Sequence, residues 1–510
     1  MRSKAPFRLL FNNDTTNTAG VVSPWHKAGE PFREDMLVAS IEEVAGCGVD
    51  AYLLSPGMGW VPWWQSRVEP DFFEWWRKRT GLDVLGQYER YVVEGGDMVK
   101  VLVDACRRHG MAPFVSLRLN DVHHQEHYAE KVQQSLVSCR LYAEHPEWHL
   151  DPNHPSRQGY YGGRGMDWAV PDVRQYKLAL LGELADNYDL AGFELDFLRH
   201  SQFFRDNGPA NAERIDIMTE FVSEVRSALD RRRPRRWLCV RIPLELSAHA
   251  ALGLDICRLY ESGVDMFNLS GWFHTTQRTD TARAREILPG AALYLEMTHS
   301  AGAHPYFIPR TGYGCDGDPR TSEQQFYTTA LIARRRGADG LSLFNFVYYR
   351  SGRADGVPVM EPPFHALPRL NDSAFLAAQP QYHMLGSTVY YRQLPRDLAA
   401  GKPETFDMDM AAPAELRTTA GEKGRLRIHT EKPLSSAHAF TANINGTRLE
   451  PTPDTSAFFD NPFDPMISPA GHQRAWVLPS ALIREGVNEV RIALDGGDPA
   501  KLIYVDAGVP

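Results

Sequence analysis

Long hydrophobic runs are missing from these 510 residues. No apolar stretch approaches the ~20 residues that cross a bilayer as a helix, so a helical membrane protein is excluded. The opening segment MRSKAPFRLLFNNDTTN turns polar after a few apolar residues and lacks a signal-peptide core, which points to the cytoplasm. Cysteine is scarce: Cys47, Cys106, Cys139, Cys239, Cys257 and Cys315 stand apart, without CxxC or CxxH spacing. That excludes a disulfide scaffold or a zinc ribbon and predicts reduced, mostly buried thiols. An excess of positive charge is absent too, since 55 Lys and Arg face 64 Asp and Glu for a net charge of −9. Phosphate binding wants clustered cations, so no nucleic-acid partner is expected. The one basic run, Arg231–Arg236, reads as a solvated loop at a helix end. There is no HExxH helix pattern and no Gly-rich fingerprint after the first strand, so neither metal nor cofactor is expected.

What is present is alternation. Short apolar runs take turns with amphipathic helical patterns through residue ~385, which implies βα repeats and a parallel sheet. The strand segments are FRLLFNND (7–14), AYLLSPG (51–57), APFVSLRLND (112–121), LAGFELDFLRH (190–200), RWLCVRIPLE (236–245), VDMFNLSGWFH (264–274), AALYLEMTHS (291–300) and GADGLSLFNF (337–346). Eight of them predict a (β/α)8 TIM barrel over 1–388, with a doubly wound open sheet as the competing fold. Beyond it, LRIHT, HAFTANINGTRLEP, AWVLPSALI, NEVRIAL and KLIYVDAG predict an all-β, jelly-roll-like sandwich over 389–510. The loops after the second and third strands are long and rich in turn residues, as expected where a barrel builds its pocket.

Side chains alternate along a strand, and that parity locates the chemistry. In GFELDF, Phe193, Leu195 and Phe197 should meet the helices, so Glu194 and Asp196 share the inward face. In the seventh strand Leu293, Leu295 and Met297 face out, leaving Tyr294, Glu296 and Thr298 inward. Opposed carboxylates are what glycosidic bond cleavage needs, one giving a proton to the leaving oxygen and one attacking or stabilising the sugar carbon. Asp196, Glu296 and Glu194 are therefore the candidate catalytic group, with Glu194 tuning Asp196 by like charge. Polar residues at the other strand ends are candidate substrate contacts: Asn12, Asp14, Arg118, Asn120, Arg241, Asn268, Trp272 and Asn345. A buried ion-pair network of Arg118, Arg241, Glu194 and Asp196 is the structural alternative. Asp121, His123 and His124 follow the third strand, Arg199 and His200 the fourth, and His274 the sixth. Hydrogen bonding to sugar hydroxyls is the preferred reading for these, over a metal site. In MGWVPWWQS, Trp60 leads a candidate stacking platform for sugar rings.

The stretch HPEWHL … DWAVPDVRQYKLALLGELADNYDLAGFELDFLRH resembles the glycosyl hydrolase family ten-like barrels. Pro146, Glu147 and Trp148 match a Pro-Glu-Trp loop, and Pro171, Val173, Arg174 and Tyr176 match the segment after it. Asp196 matches a strand-end acid. GFELD also resembles the fourth strand of α-amylase-type barrels, with Glu194 in place of an arginine. Acids on strands four and seven resemble the largest clan of retaining glycosidases. The tail is similar to galactose-binding-like jelly rolls attached to glycoside hydrolases. The resemblance implies a retaining glycoside hydrolase acting on an oligo- or polysaccharide. Its roles are Glu296 as nucleophile with Asp196 as acid/base, or the reverse. A polysaccharide lyase on the same barrel and a non-catalytic carbohydrate-binding barrel are the alternatives.

Overall fold

Each apolar run forms a strand at its centre and hands its ends to loops. The computed structural model describes residues 4–15, 17–27, 30–57, 59–81, 87–122, 139–151, 165–231, 234–301, 319–351, 359–385, 390–413 and 421–510. The strands are β1 (Leu9–Asn13), β2 (Ala51–Leu54), β3 (Ala112–Arg118), β4 (Gly192–Asp196), β5 (Trp237–Pro243), β6 (Met266–Ser270), β7 (Ala292–Thr298) and β8 (Gly340–Phe344). They close in sequence order into a parallel barrel, as the alternation predicted. Some of the helices begin at capping side chains. Asp97 accepts from the Val99 and Lys100 amides ahead of Met98–Arg108, and Ser322 and Gln325 form a capping box on Glu323–Arg335. No described helix is long and apolar enough to cross a membrane.

By contact the chain divides into two compact units, Met1–Ser270 with Arg283–Tyr294, and Gly271–Ala282 with Leu295–Pro510. In the first, the barrel floor is apolar: Leu10, Leu53, Phe114, Met266 and Tyr294 cluster, with Phe7 and Trp237 packed against them. Gly192 is required there. A Cβ at this position would lie 2.1 Å from Phe114 Cε1 and 2.7 Å from the Trp237 carbonyl oxygen. Basic residues meant for solvent are partly used inside, since Arg235 pairs with Asp265 (2.8 Å) and Arg236 donates to the Ala185 and Tyr188 carbonyls at a helix end.

The second unit carries β9 (Gln381–Met384), β10 (Arg396–Leu398), β11 (Glu404–Met410), β12 (Lys423–Thr430), β13 (Ala439–Ile444), β14 (Thr447–Arg448), β15 (Glu450–Thr452), β16 (Gln473–Pro479), β17 (Gly486–Gly496) and β18 (Ala500–Val509). They make two antiparallel sheets. One runs β10-β18-β12-β16-β15 with β9 also on β18, the other β11-β17-β13-β14. Alternate residues of both, among them Phe406, Met408, Leu426, Ile428, Trp476, Ile492 and Val505, fill one core. The opposite parity of β12 and β18 is charged and buried. Arg427 pairs with Asp506 (2.7 Å), which also accepts from His429 (3.1 Å). Burial would raise the Asp506 carboxyl, but the Arg427 guanidinium and the His429 hydrogen bond outweigh it and hold it below the usual range. Within this unit the sandwich grips the segment after β6. Gln277 donates to the Tyr382 carbonyl (2.9 Å) and accepts from the Met384 amide (2.8 Å).

Two outcomes test the packing. Gly192→Ala should lower stability by about 1–3 kcal/mol, because the floor has no room for a methyl group; a denaturant melt checks it. Alkylation of the native chain, mapped by mass spectrometry, should reach exposed Cys257 well before buried Cys106, Cys139 and Cys239. Burial pushes the Cys106 and Cys139 thiols up to about 12, so they hold almost no reactive thiolate.

Candidate active site

Register places the inward side chains in layers. Ser116, Glu194 and Cys239 are aligned across β3, β4 and β5, and Arg118, Asp196, Arg241 and Asn268 two steps further across β3 to β6. Glu194 is fully buried in the lower layer. Its Oε1 accepts from Asn12 Nδ2 (2.6 Å) and Ser116 Oγ (2.7 Å), and its Oε2 from Asn268 Nδ2 (3.1 Å) and Cys239 Sγ (3.6 Å). Four strands thus converge on one carboxylate, which confirms the inward parity within this unit. The amides of Asn12 and Asn268, expected to meet substrate, are spent on Glu194 instead.

Asp196 closes the upper layer at 2% exposure. Its Oδ1 accepts from the backbone amides of Leu198 (2.9 Å) and Arg199 (3.1 Å) and from Arg241 Nη1 (3.1 Å). Oδ2 has only the longer Arg241 contact (3.3 Å) among the described residues. Arg241 is itself fixed by Ser270 Oγ (3.1 Å). Beside this pair, Arg118 Nη1 donates to Asp121 (3.1 Å), and its Nη2 lies 3.9 Å from Asp14. Burial works against the Arg118 charge, but Asp121, Asp14 and Asp196 more than offset it and raise its pKa. His200 accepts the Val122 amide at Nδ1 (3.1 Å), which puts the proton of its neutral ring on Nε2. Arg199 is buried at the same mouth.

The loops over this layer are pinned from below. Lys177, fully buried on Pro171–Asn187, donates to the Gly59 (2.5 Å) and Arg118 (3.2 Å) carbonyls, with its ammonium 3.9 Å from the Trp60 ring centroid. Burial lowers the Lys177 pKa to about 7. Gly59 has φ 67°, and a Cβ there would come within 2.5 Å of Asp121 Cβ, so glycine lets this loop pass close to β3. Asn120, a predicted sugar contact, is a clamp: its amide donates to Met166 (3.0 Å) and Gln202 (2.5 Å) carbonyls and accepts the Met166 amide (2.9 Å).

The expected tryptophan platform is corrected. Trp60, Trp63 and Trp64 are 0–3% exposed and packed, Trp60 beneath Lys177, Trp63 stacked on Tyr88 at 4.5 Å, and Trp64 bonded to Glu183 (3.0 Å). No open face remains for a sugar ring. Lys177 and Glu89 escaped the sequence reading, although Lys177 shares the buried stripe of Val173, Leu180, Leu181 and Leu184.

In the other unit, Glu296 is 1% exposed on β7. His274 Nδ1 lies 3.3 Å from Ser300 Oγ, and Trp272 stacks on Phe273. Asn345 is 4% exposed just past β8. His123 and His124 lie outside the described residues. Among the described residues, five non-glycines have positive φ, and four sit just past barrel strands. These are Thr15 (67°), His200 (65°), Trp272 (70°) and Asn345 (53°). Such strain, of order 1–3 kcal/mol each, gathers where function holds the backbone in place.

No protein-family model and no curated protein matches the chain. Among solved structures it is similar to alpha-L-fucosidase isoenzyme 2 from Paenibacillus thiaminolyticus, with a TM-score of 0.43, 13% identity, and 72% of this chain and 48% of that chain covered. The glycoside hydrolase domain of PgaB (BpsB) from Bordetella bronchiseptica gives a TM-score of 0.44, 12% identity, and coverages of 72% and 99%. The GH36 alpha-galactosidase AgaA from Geobacillus stearothermophilus gives 0.37, 14%, 98% and 55%. The chain therefore spans about half the length of the fucosidase and the galactosidase.

The loop that carries Trp63 should respond to pH through Glu89. Glu89 Oε1 accepts from Trp63 Nε1 (3.2 Å), while Oε2 is buried without a hydrogen-bond partner among the described residues. Burial raises this carboxyl to about 7. A raised carboxyl favours folding below its unfolded pKa, and that benefit is lost as pH climbs through 7. Glu89→Gln should therefore gain on the native chain above pH 7, by at most about 3 kcal/mol, with the gain vanishing near pH 4.5. Denaturant melts across that range check it.

Proposed function

We propose that the chain is a glycoside hydrolase in which Asp196 attacks the anomeric carbon of a neutral sugar. The asymmetry of its donors carries this reading: three reach Oδ1, and Oδ2 keeps only the longer Arg241 contact. Donors that fix one carboxylate oxygen orient the other, which suits a nucleophile. Of the two assignments open from the sequence, this favours Asp196 as nucleophile. Oδ2 bonds to the anomeric carbon as the bond to the leaving oxygen breaks, and that oxygen takes a proton from a general acid. A water deprotonated by the same group then releases the sugar with retained configuration.

Charge supports a neutral substrate. The guanidinium of Arg118 already faces Asp121 and Asp14, and that of Arg241 faces Asp196. A lyase needs cations to neutralise a uronate, so this pairing weighs against that alternative.

On a panel of aryl glycosides, Asp196→Asn should lower kcat/KM by about a thousandfold or more against the wild-type chain. Proton NMR of the first product should show the substrate's own anomeric configuration. Full turnover by the Asn variant, or no turnover of any glycoside by the wild-type chain, would sink the proposal.

A further inference from the structure

The ends of β7 and β8 hold polar atoms that the chemistry at Asp196 does not use. His299 follows β7 at 1% exposure, and neither ring nitrogen has a hydrogen-bond partner among the described residues. Asn345 follows β8 in the left-handed region, and its Oδ1 is likewise buried without a partner among them. The two residues are neighbours: the Asn345 main chain lies beside the His299 imidazole, though outside hydrogen-bond geometry, and the Tyr348 ring centroid is 5.4 Å from that ring. Leaving a buried polar atom unsatisfied is costly, and folded chains rarely tolerate three together without a use for them.

Their chemistry selects a ligand. Burial first, then Arg320 and His274, push the His299 pKa well below the usual imidazole range, so the ring is neutral, with one nitrogen donating and one accepting. Asn345 Oδ1 only accepts. A carboxylate has no proton to give to either acceptor, and an ammonium cannot accept from the donating ring nitrogen. A hydroxyl both gives and takes, and two adjacent hydroxyls satisfy all three atoms.

We propose that His299 and Asn345 form a subsite that recognises an adjacent pair of hydroxyls on a neutral pyranose. This deepens the glycoside hydrolase reading and rests on it for the substrate class. The probes are 1,5-anhydroglucitol, 1,5-anhydrogalactitol and 1,5-anhydromannitol, which keep the ring hydroxyls but have no leaving group, with glucuronate as the anionic control. Calorimetry on the full chain should show at least one alditol saturating below about 100 mM, and His299→Phe and Asn345→Gly should each weaken it about tenfold or more. Phenylalanine keeps the ring without the nitrogens, and glycine keeps the left-handed backbone, so thermal melts should show both variants folded. In the wild-type chain the His299 ring resonances should move with the bound alditol, a readout independent of any variant's folding. No saturation, unchanged affinity in folded variants, still His299 resonances, or binding of glucuronate alone would overturn the subsite. Glycoside turnover with an unaltered KM in His299→Phe would end this inference and leave the hydrolase standing. Alditol binding lost in His299→Phe, with no glycoside turned over by the wild-type chain, would do the opposite.

Discussion

A carboxylate held dry at the centre of a barrel must be met by donors on several sides, and Glu194 meets that condition through β1, β3, β5 and β6. Each donor comes from a different strand, so a slip of any one strand by a single residue would turn its donor outward and leave the charge unsatisfied. The layer above inherits its geometry from this. Asp196 lies two residues along the same strand, beside Arg118 and Arg241 in register. The lower carboxylate fixes the frame in which the upper one is presented.

The barrel was legible because its strands read as apolar runs and its helices as 3.6-residue patterns, two signals that need no tertiary knowledge. Parity likewise carried Glu194 and Asp196 inward, because period two is a property of the strand alone. What parity could not supply was the identity of the partners. Asn12, Asn120 and Asn268 stand at strand positions typical of substrate contacts, yet their amides serve a carboxylate or a loop backbone. Only the fold decides which neighbour reaches an amide first. Trp60 misled for a related reason, since an aromatic after a strand reads the same whether solvent or a lysine lies over its face.

The strands before β12 were hidden differently. ETFDMDM in β11 alternates acids with apolar residues, and Phe406, Met408 and Met410 all enter the sandwich core. Alternation was present, but the interleaved acids leave no continuous apolar run to mark the strand. Asp409 finds its cation in Arg336 (2.5 Å), just past Glu323–Arg335, a pairing no local pattern announces.

The Gln277 amide, which both gives to and takes from the β9 backbone, bears on how this chain could be divided. Cut before Gln381, it would retain all eight barrel strands, yet the segment bearing Trp272 and His274 would lose this tether to β9 and keep the one that Thr275 makes with Thr298 of β7. Within this unit, β9 thus holds the segment after β6 in place. Moving the barrel without β9 would leave that segment without the Gln277 tie.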